Sequence, residues 1–572
     1  MPLEGSARIV QRLTSCGFNV EREAVTLIAG SADPSRTVDR LVEELDDDVL
    51  VIATADVRAI LETGLETEAE AASPTRSDAA LATDTDDPTD REARPTGATP
   101  DGGDVRAEPS PSADGHDDPS ISTGTTPPDG DSSAASPPET EGVREPSSDR
   151  SSSDEDRSTS APDFERSGET DARSVEIEGD MTGQSTGTGA YRDFVTVFRD
   201  RLERLGSKLR GRVNHRPASS IESMPGGSDV AMVGLVNDVR STASGHWLVE
   251  LEDTTGTFPF LVMKDRDFAG LVDELLCDEV LAMEGTLADD SGIAFVDSIH
   301  FPDVPRTHEP STADRHVQAA LISDVHVGSE EFMAGAWNRF AEWLHSEAAQ
   351  HVEYLCIAGD MVEGVGIYPD QDEELDIVDI YDQYEAFNEH LKRVPGDLEI
   401  VMIPGNHDAV RLAEPQPGFD EELRSIMSAH DARISSNPSV VDLEGVSILM
   451  YHGVSLDEVI AELPAESASY DEPHKAMYQL LKKRHVAPQF GGHTRLAPEE
   501  RDYLVIEDVP DIFHTGHVHK LGFGKYHDVL AINSGCWQAQ TDFQKSVNID
   551  PDAGFAPIVD LDTLDVTVQK FR

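Results

Sequence analysis

The sequence predicts a multidomain α/β protein, and three observations lead there. Residues 313–572 alternate strand-like apolar runs with helix-like segments. A set of short β-rich runs lies just before them. A long polar segment divides both from an apolar-periodic N-terminus. With 572 residues the chain has room for roughly two to four domains.

Residues 1–65 are expected to form a small helical module. Ile9, Val10 and Leu13, then Val25, Leu27 and Ile28, then Val38, Leu41 and Val42 recur at helical spacing, and Ser31–Ser35 offers turn and cap residues. No catalytic pattern stands out there, so the module reads as structural or docking. Residues 66–188 are rich in Ser, Thr, Pro, Gly, Asp and Glu and nearly devoid of aromatics. Such a segment cannot bury enough apolar surface to offset its ordering entropy, which predicts a disordered acidic linker.

Residues 190–216 change character. Tyr191, Phe194, Val195, Phe198, Leu202 and Leu205 form an apolar stripe at helical spacing. Arg199, Arg201, Arg204, Lys208, Arg210, Arg212 and Arg216 make this the most basic stretch of the chain. It reads either as a helix contacting phosphates or a partner, or as a helix with one solvated charged face. Within residues 217–312, the runs Asp229–Val239, His246–Asp253, Thr257–Met263, Glu279–Leu287 and Ile293–Ile299 are β-rich and separated by turn residues. Phe268–Leu276 could be a helix between the third and fourth. Five strands with an inserted helix fit an OB-fold β-barrel. Its strands offer few aromatics or cations, which favours protein docking over single-strand binding.

Charge and cysteine usage set the context. The formal net charge is −66, from 111 acidic and 45 basic residues, and only ten of the basic residues are Lys. Residues 66–180 hold 31 acids and nine Arg, accounting for −22. The other −44 falls on segments with ordinary apolar patterning, as in a folded protein adapted to molar salt, where carboxylates hold water and salt screens their repulsion. A haloarchaeal cytoplasm is the expected setting. Cys16, Cys277, Cys356 and Cys536 form no Cys-x-x-Cys pair, which argues against a zinc ribbon or a disulfide framework. Met1 to Val10 lacks a signal-peptide core, and no apolar run reaches the roughly 18 residues of a membrane span.

In residues 313–572, Val317–Ser323, Glu353–Ala358, Glu399–Ile403, Val446–Tyr451, Ile512–Thr515 and Val529–Asn533 are expected strands. Polar clusters follow five of them: Ser323-Asp324-Val325-His326, Ala358-Gly359-Asp360, Pro404-Gly405-Asn406-His407-Asp408, Tyr451-His452-Gly453, and Thr515-Gly516-His517-Val518-His519. In Asp324-x-His326 and His517-x-His519, alternate side chains of an extended segment point the same way and can reach one ion. The glycines allow close backbone approach. Mixed carboxylate, imidazole and amide donors suit Mn²⁺, Fe²⁺ or Zn²⁺ better than Ca²⁺. Any single cluster could be an ordinary turn; five in this order, each after a β-run, point to a metal centre at the carboxyl ends of the strands.

Together the five clusters resemble the calcineurin-like phosphoesterase superfamily over about residues 317–540. The resemblance implies an α/β/β/α phosphoesterase domain with two divalent ions, Mn²⁺ first and Mg²⁺, Fe²⁺ or Zn²⁺ as alternatives. Asp324, His326, Asp360 and His519 would hold one ion. Asp360, Asn406, His452 and His517 would hold the other, with Asp360 bridging. His407 would be the catalytic histidine that is not a ligand, oriented by Asp408. Where the superfamily often has a second Asp after Gly-Asp, this chain has Glu363, a position that is not usually a ligand.

Gly366-Ile367-Tyr368-Pro369, Asp379-Ile380-Tyr381 with Gln383-Tyr384, Leu481-Lys482-Lys483-Arg484-His485-Val486-Ala487-Pro488 and Gly491-Gly492-His493-Thr494-Arg495-Leu496-Ala497-Pro498 go beyond that superfamily. They resemble the small subunit of archaeal family D DNA polymerase. That resemblance implies a proofreading 3′→5′ exonuclease subunit paired with a large catalytic subunit, with DNA as substrate and a sliding clamp as a further candidate partner. The alternatives are a catalytically silent scaffold subunit and a stand-alone metallophosphoesterase or repair nuclease. Lys482, Lys483, Arg484 and His485 are the densest positive run of the domain and the candidate DNA contacts. No separate carboxylate set suited to nucleotidyl transfer is evident, so synthesis is expected to reside in the partner.

Overall fold

The computed structural model describes residues 173–572, apart from 186, 291, 368–370, 493 and 547–548, together with parts of residues 19–60. Of the expected N-terminal helices, Arg22–Ala29 (α1) is described, with Val25 and Ile28 buried. Two short strands there, Asn19–Val20 (β1) and Val51–Ile52 (β2), pair in parallel, which the helical reading did not include. The groups around Ile9 and the stretch 66–172 lie outside the described residues.

The linker reading fails at its carboxyl end. Residues 173–188 belong to the folded part: Val175–Glu178 (β3) pairs antiparallel with a later strand, Arg173 reaches Glu353 at 2.7 Å, and Met181 is fully buried. A four-residue strand alternating Val, Glu, Ile and Glu is masked by the acid-rich composition around it.

The barrel is close to expectation. Asp229–Ser241 (β4), Trp247–Asp253 (β5), Gly256–Val262 (β6), Val280–Leu287 (β7) and Ala294–His300 (β8) close in the order β4-β5-β6-β8-β7. A 3₁₀ segment, Ala269–Glu274, stands where a helix was expected. Alternate residues such as Val249, Leu251, Phe258 and Phe260 fill the interior.

Two six-stranded sheets form the rest. One has the order β12-β11-β10-β9-β18-β19 and contains Gln318–Ile322 (β9), Val352–Ala358 (β10), Glu399–Ile403 (β11), Arg433–Ile434 (β12), Phe555–Asp560 (β18) and Asp565–Lys570 (β19). The other has the order β16-β17-β15-β14-β13-β3, with Ser439–Leu443 (β13), Val446–Met450 (β14), Ile512–Thr515 (β15), Leu521–Tyr526 (β16) and Val529–Ser534 (β17). Strand β10 is buried along its whole length, so apart from Glu353, which Arg173 and Arg315 pair, it reads as a continuous apolar run rather than an alternating one. Its Leu355 and Ile357 pack under the helices Ala334–Leu344 (α3) and Ile380–Leu391 (α4). Its Tyr354 and Cys356 pack against Ile448, Met450 and Ile532 of the second sheet. Ser455–Glu462 (α5) and Pro473–Lys483 (α6) cover that sheet's other face. The result is a mixed α/β arrangement of two facing sheets with helices outside both, beside a small closed barrel.

The basic helix Tyr191–Arg210 (α2) is an internal strut rather than a free cationic face. Arg201 is fully buried, 2.7 Å from Asp502, and also donates to the carbonyls of Asp278 and Pro488. Arg204 and Lys208 both reach Glu507, and Arg212 donates to the carbonyls of Phe301 and Pro302. A cation beside a matching carboxylate is consumed within the fold, so this helix does not offer those charges to phosphates.

The same physics overturns the assignment of Lys482, Lys483, Arg484 and His485 as DNA contacts. Lys482 pairs with Glu274 at 2.7 Å and lies over the Phe301 ring. Lys483 is fully buried, 3.3 Å from the equally buried Glu279 of the barrel. Arg484, in the left-handed conformation at the end of α6, donates to the carbonyls of Ile506 and Glu507. His485 is buried against Asp502 at 2.9 Å, where burial and the Arg201 charge push its imidazole down to about 4. The run joins the barrel to the α/β domain and is closed to DNA. Burial pulls Glu279 up and Lys483 down, so the pair is held against a desolvation cost. Lys483→Ala, which strands Glu279, is expected to cost about 3–5 kcal/mol of stability. A Lys483→Met, Glu279→Met double variant should lie close to wild type; denaturant midpoints in high salt measure both.

Candidate metal centre

Strands β9, β10 and β11 run parallel, as do β14 and β15, and the five polar clusters follow their carboxyl ends. The loops therefore emerge along one edge of the paired sheets. Their backbones are unusual. Asp324, His326, Asp360, His517 and His519 all have φ between 52° and 70°, a region non-glycine residues rarely occupy. Strain of this kind, of order 1–3 kcal/mol per residue, collects where a fixed constellation is required. Two glycines make the approach possible. A Cβ on Gly405 would lie 2.2 Å from an Asp360 oxygen, and one on Gly516 would lie 2.2 Å from an Asp324 oxygen.

The side chains converge in two groups that share one carboxylate. In the first, His326 Nε2 and His519 Nε2 are 3.0 Å apart, and His519 Nε2 is 3.4 Å from Asp324 Oδ1. In the second, His452 Nε2 lies 3.1 Å from Asp360 Oδ2 and 3.0 Å from Asn406 Oδ1, and the His517 ring stands against the His452 ring at 5.2 Å. Asp360 Oδ1 accepts the backbone N–H of His407 at 2.8 Å. Its Oδ2 faces His452 and also lies 3.8 Å from His326 Nε2. All seven predicted ligands thus come together, with Asp360 between the groups.

The donors fit divalent cations. Asp324, His326 and His519 present ligand atoms within 4.8 Å of one another, as do Asp360, His452 and His517. Two of the far nitrogens face acceptors: His452 Nδ1 on the Ala358 carbonyl at 2.8 Å and His326 Nδ1 on Glu363 Oε2 at 2.8 Å. Those two rings are fixed in orientation with Nε2 directed inward, as metal-binding imidazoles require, and the His519 ring is held by the Gln544 amide, whose Nε2 lies 2.8 Å from Nδ1. Burial opposes charge on His452, but the Asp360 and Asp324 carboxylates outweigh it and raise the imidazole to about 10. Burial also works against Asp360, and the surrounding imidazoles bring it well below the usual carboxylate range. This negative pocket calls for positive charge.

His407 is in place beside the first group, its ring 4.8 Å from that of His326. Its expected orienting partner is not. Asp408 accepts from Gly405 N at 2.8 Å and from Tyr384 Oη at 3.0 Å, so it shapes the loop. Burial and the charge of Asp360 push Asp408 up to about 7. The His407 ring is held instead by Glu363, whose carbonyl faces Nδ1 at 2.7 Å. Glu363, which the sequence marks only as a non-ligand position, thus has a role in the site. Its carboxylate also takes hydrogen bonds from Gln371 and Gln538. Burial would raise it, but His326, His407 and Gln371 hold it down to about 2. The signal for it in the sequence is a carboxylate three positions after Asp360. Asp457 is a second residue that sequence reasoning misses. Its Oδ2 lies 3.1 Å from His517 Nε2 and its Oδ1 accepts from Tyr470 at 3.0 Å. On helix α5 it carries no local motif.

Comparison with known proteins supplies the family. A family model for the B subunits of DNA polymerases alpha and epsilon matches residues 319–523. The DNA polymerase II small subunit of Halobacterium salinarum is 60% identical over 571 residues, all of both chains. The chain belongs to the DNA polymerase II small subunit family. Members from Archaeoglobus fulgidus and Pyrococcus furiosus are 44% and 40% identical, over 66% and 65% of this chain and 76% and 62% of theirs. Among the described residues, no helix is long and apolar enough to cross a membrane.

Two outcomes follow for metal binding. Glu363→Gln should weaken Mn²⁺ affinity about 10–100-fold, through loss of the anchored His326 ring. A fluorescent chelator competition measures it. In wild type, affinity should rise with pH from about 7 to about 9, because the ion must displace the proton that the carboxylates hold on His452; a pH-independent constant would remove His452 from the site.

Proposed function

We propose that this chain is the proofreading 3′→5′ exonuclease subunit of a two-subunit archaeal DNA polymerase, hydrolysing the 3′-terminal phosphodiester. The observation that carries the reading is the pair of donor groups sharing Asp360, seven coordinating side chains with none replaced by an inert one. A scaffold subunit that had lost catalysis would have no reason to retain five residues in strained backbone around that carboxylate. The name shared by the relatives, DNA polymerase II small subunit, supports a place beside a large catalytic subunit and DNA as substrate.

The residues divide the work. Asp324, His326, Asp360 and His519 would hold one divalent ion, and Asp360, Asn406, His452 and His517 the other. Mn²⁺ is the first candidate, since the donors mix oxygen and imidazole nitrogen. Ions bound there would supply Lewis-acid charge for the scissile phosphate and lower the pKa of an attacking water. His407, with Nδ1 on the Glu363 carbonyl, would turn its other nitrogen to the cleft to protonate the departing 3′-oxygen. Glu363 takes the orienting role that the sequence suggests for Asp408. The barrel is assigned as an OB-fold and the paired sheets as a calcineurin-like domain, from the strand order and the ligand-bearing loops.

Degradation of 3′-labelled single-stranded and mismatched DNA with Mn²⁺ in high salt tests the proposal, with and without the large subunit. Wild type should release mononucleotides. His407→Ala should be about 10²–10⁴-fold slower, and Asp360→Ala should fall to background. Intact metal binding with no release from any wild-type sample would overturn the exonuclease and leave the scaffold reading.

A further inference from the structure

With Lys482–His485 buried, the route of DNA to the centre must lie elsewhere, and the Gly491–Pro498 motif has no part in the metal centre itself. The strip before and within that motif joins the two sides of the candidate site. Thr494 N donates to Glu458 at 2.7 Å, in the first turn of α5, one residue from the Asp457 that faces His517. Arg495 O accepts from Glu414 N at 2.7 Å, in the loop that begins at His407. At the strip's far end Phe490 leaves almost half of its surface exposed, at 47%. Phe194 and Phe198 of α2 brace it from below, with ring centroids at 5.2 Å and 5.6 Å. Tyr191, one turn earlier on α2, is 76% exposed.

An exposed aromatic cluster costs hydration free energy and marks a contact surface. Three features select a nucleic acid strand as the occupant. The cluster is continuous with both loops of the metal centre. Gly491 is exposed, with nothing within 4 Å of where a Cβ would stand, which leaves the backbone open there. Arg495 is exposed beside the loop that carries His407, and among the described residues no carboxylate pairs with its side chain. Stacking on aromatic rings also tolerates any base and outlasts the salt that screens phosphate contacts.

We propose that residues 490–492 and 494–495 form the track on which an unpaired 3′ end of DNA reaches the candidate metal centre, with Phe490 as base-stacking platform and Arg495 as phosphate contact. This rests on the exonuclease reading, and the test separates the two. Binding of a labelled oligothymidylate is measured by anisotropy on the full chain, in EDTA and molar KCl, where catalysis cannot contribute. Phe490→Ala should raise Kd about tenfold, the loss of one stacked base. Arg495→Ala should weaken binding less and flatten the salt dependence. Phe523→Ala, an equally exposed aromatic on β16, should leave Kd unchanged. Unchanged affinity in both Phe490→Ala and Arg495→Ala overturns the track. So does loss of co-purification with the co-expressed large subunit at unchanged DNA affinity, which would make the cluster a subunit contact. Mn²⁺-dependent hydrolysis of bis(p-nitrophenyl) phosphate by wild type reports on the metal centre alone. Its absence, with DNA binding still dependent on Phe490, would sink the exonuclease and spare the track.

Discussion

The structure around the site depends on one buried carboxylate. Asp360 follows a strand that is buried along its whole length, so the chain reaches this point with both sheet faces already packed. One oxygen is fixed by the His407 N–H, which leaves the other for His452 across the sheet pair and His326 alongside. His452 belongs to the second sheet, so the carboxylate ties the two sheets together at their carboxyl edge. Gly405 exists in this frame because any side chain there would collide with Asp360. Gly516 answers to Asp324 for the same reason. The positive φ angles follow: loops that must turn both side chains of an Asp-x-His pair inward within three residues leave the ordinary allowed regions.

How much of this is legible in the sequence follows from the range of each interaction. The strands before the clusters and the five barrel strands are readable within one or two residues, because apolar runs ended by turn residues are local signals. The seven candidate ligands are readable because their types and order are local as well. What fails depends on partners far along the chain. Lys482–His485 looks like a phosphate-binding run until Glu274, Glu279 and Asp502 are placed beside it. Arg201 looks solvated for the same reason, its partner Asp502 lying 301 positions away. Asp408 is given the orienting role by the superfamily resemblance, whereas in the fold Glu363 holds the imidazole from 44 positions away. Strands β13, β16, β18 and β19 are absent from the expected set, since each is short and partly polar.

The buried cations have a consequence for how the parts move. Arg201 of α2, His485 beyond α6 and the carbonyl of Asp278 beside the barrel meet at one fully buried carboxylate or its immediate partners. A broken buried pair leaves an uncompensated charge at a cost of about 3–5 kcal/mol. Hinging the barrel away from the α/β domain would break several of these contacts at once. The helix, the barrel and the α/β domain therefore behave as one body around the site, and the cleft is presented on a rigid frame.

A rigid frame bears on the electrostatic difficulty that the proposed nuclease activity meets in a chain with a net charge of −66. Free cations cannot serve as the main attraction, because most of those near the barrel are consumed internally, and molar salt removes most of the counterion-release gain on binding phosphates. Two interactions survive those conditions. Inner-sphere contact with a bound cation is short-ranged and little screened, and the Asp360-centred donor set is built to attract such charge. Stacking on fixed aromatic rings does not depend on net charge, and Phe490 is fixed by Phe194 and Phe198 on a helix that the Arg201 contacts hold in place. For the proposed track, the internal use of arginine has a functional side: it fixes the apolar platform at a constant separation from the loops of the candidate metal centre, so that recognition there would rest on geometry rather than on the sign of the surface.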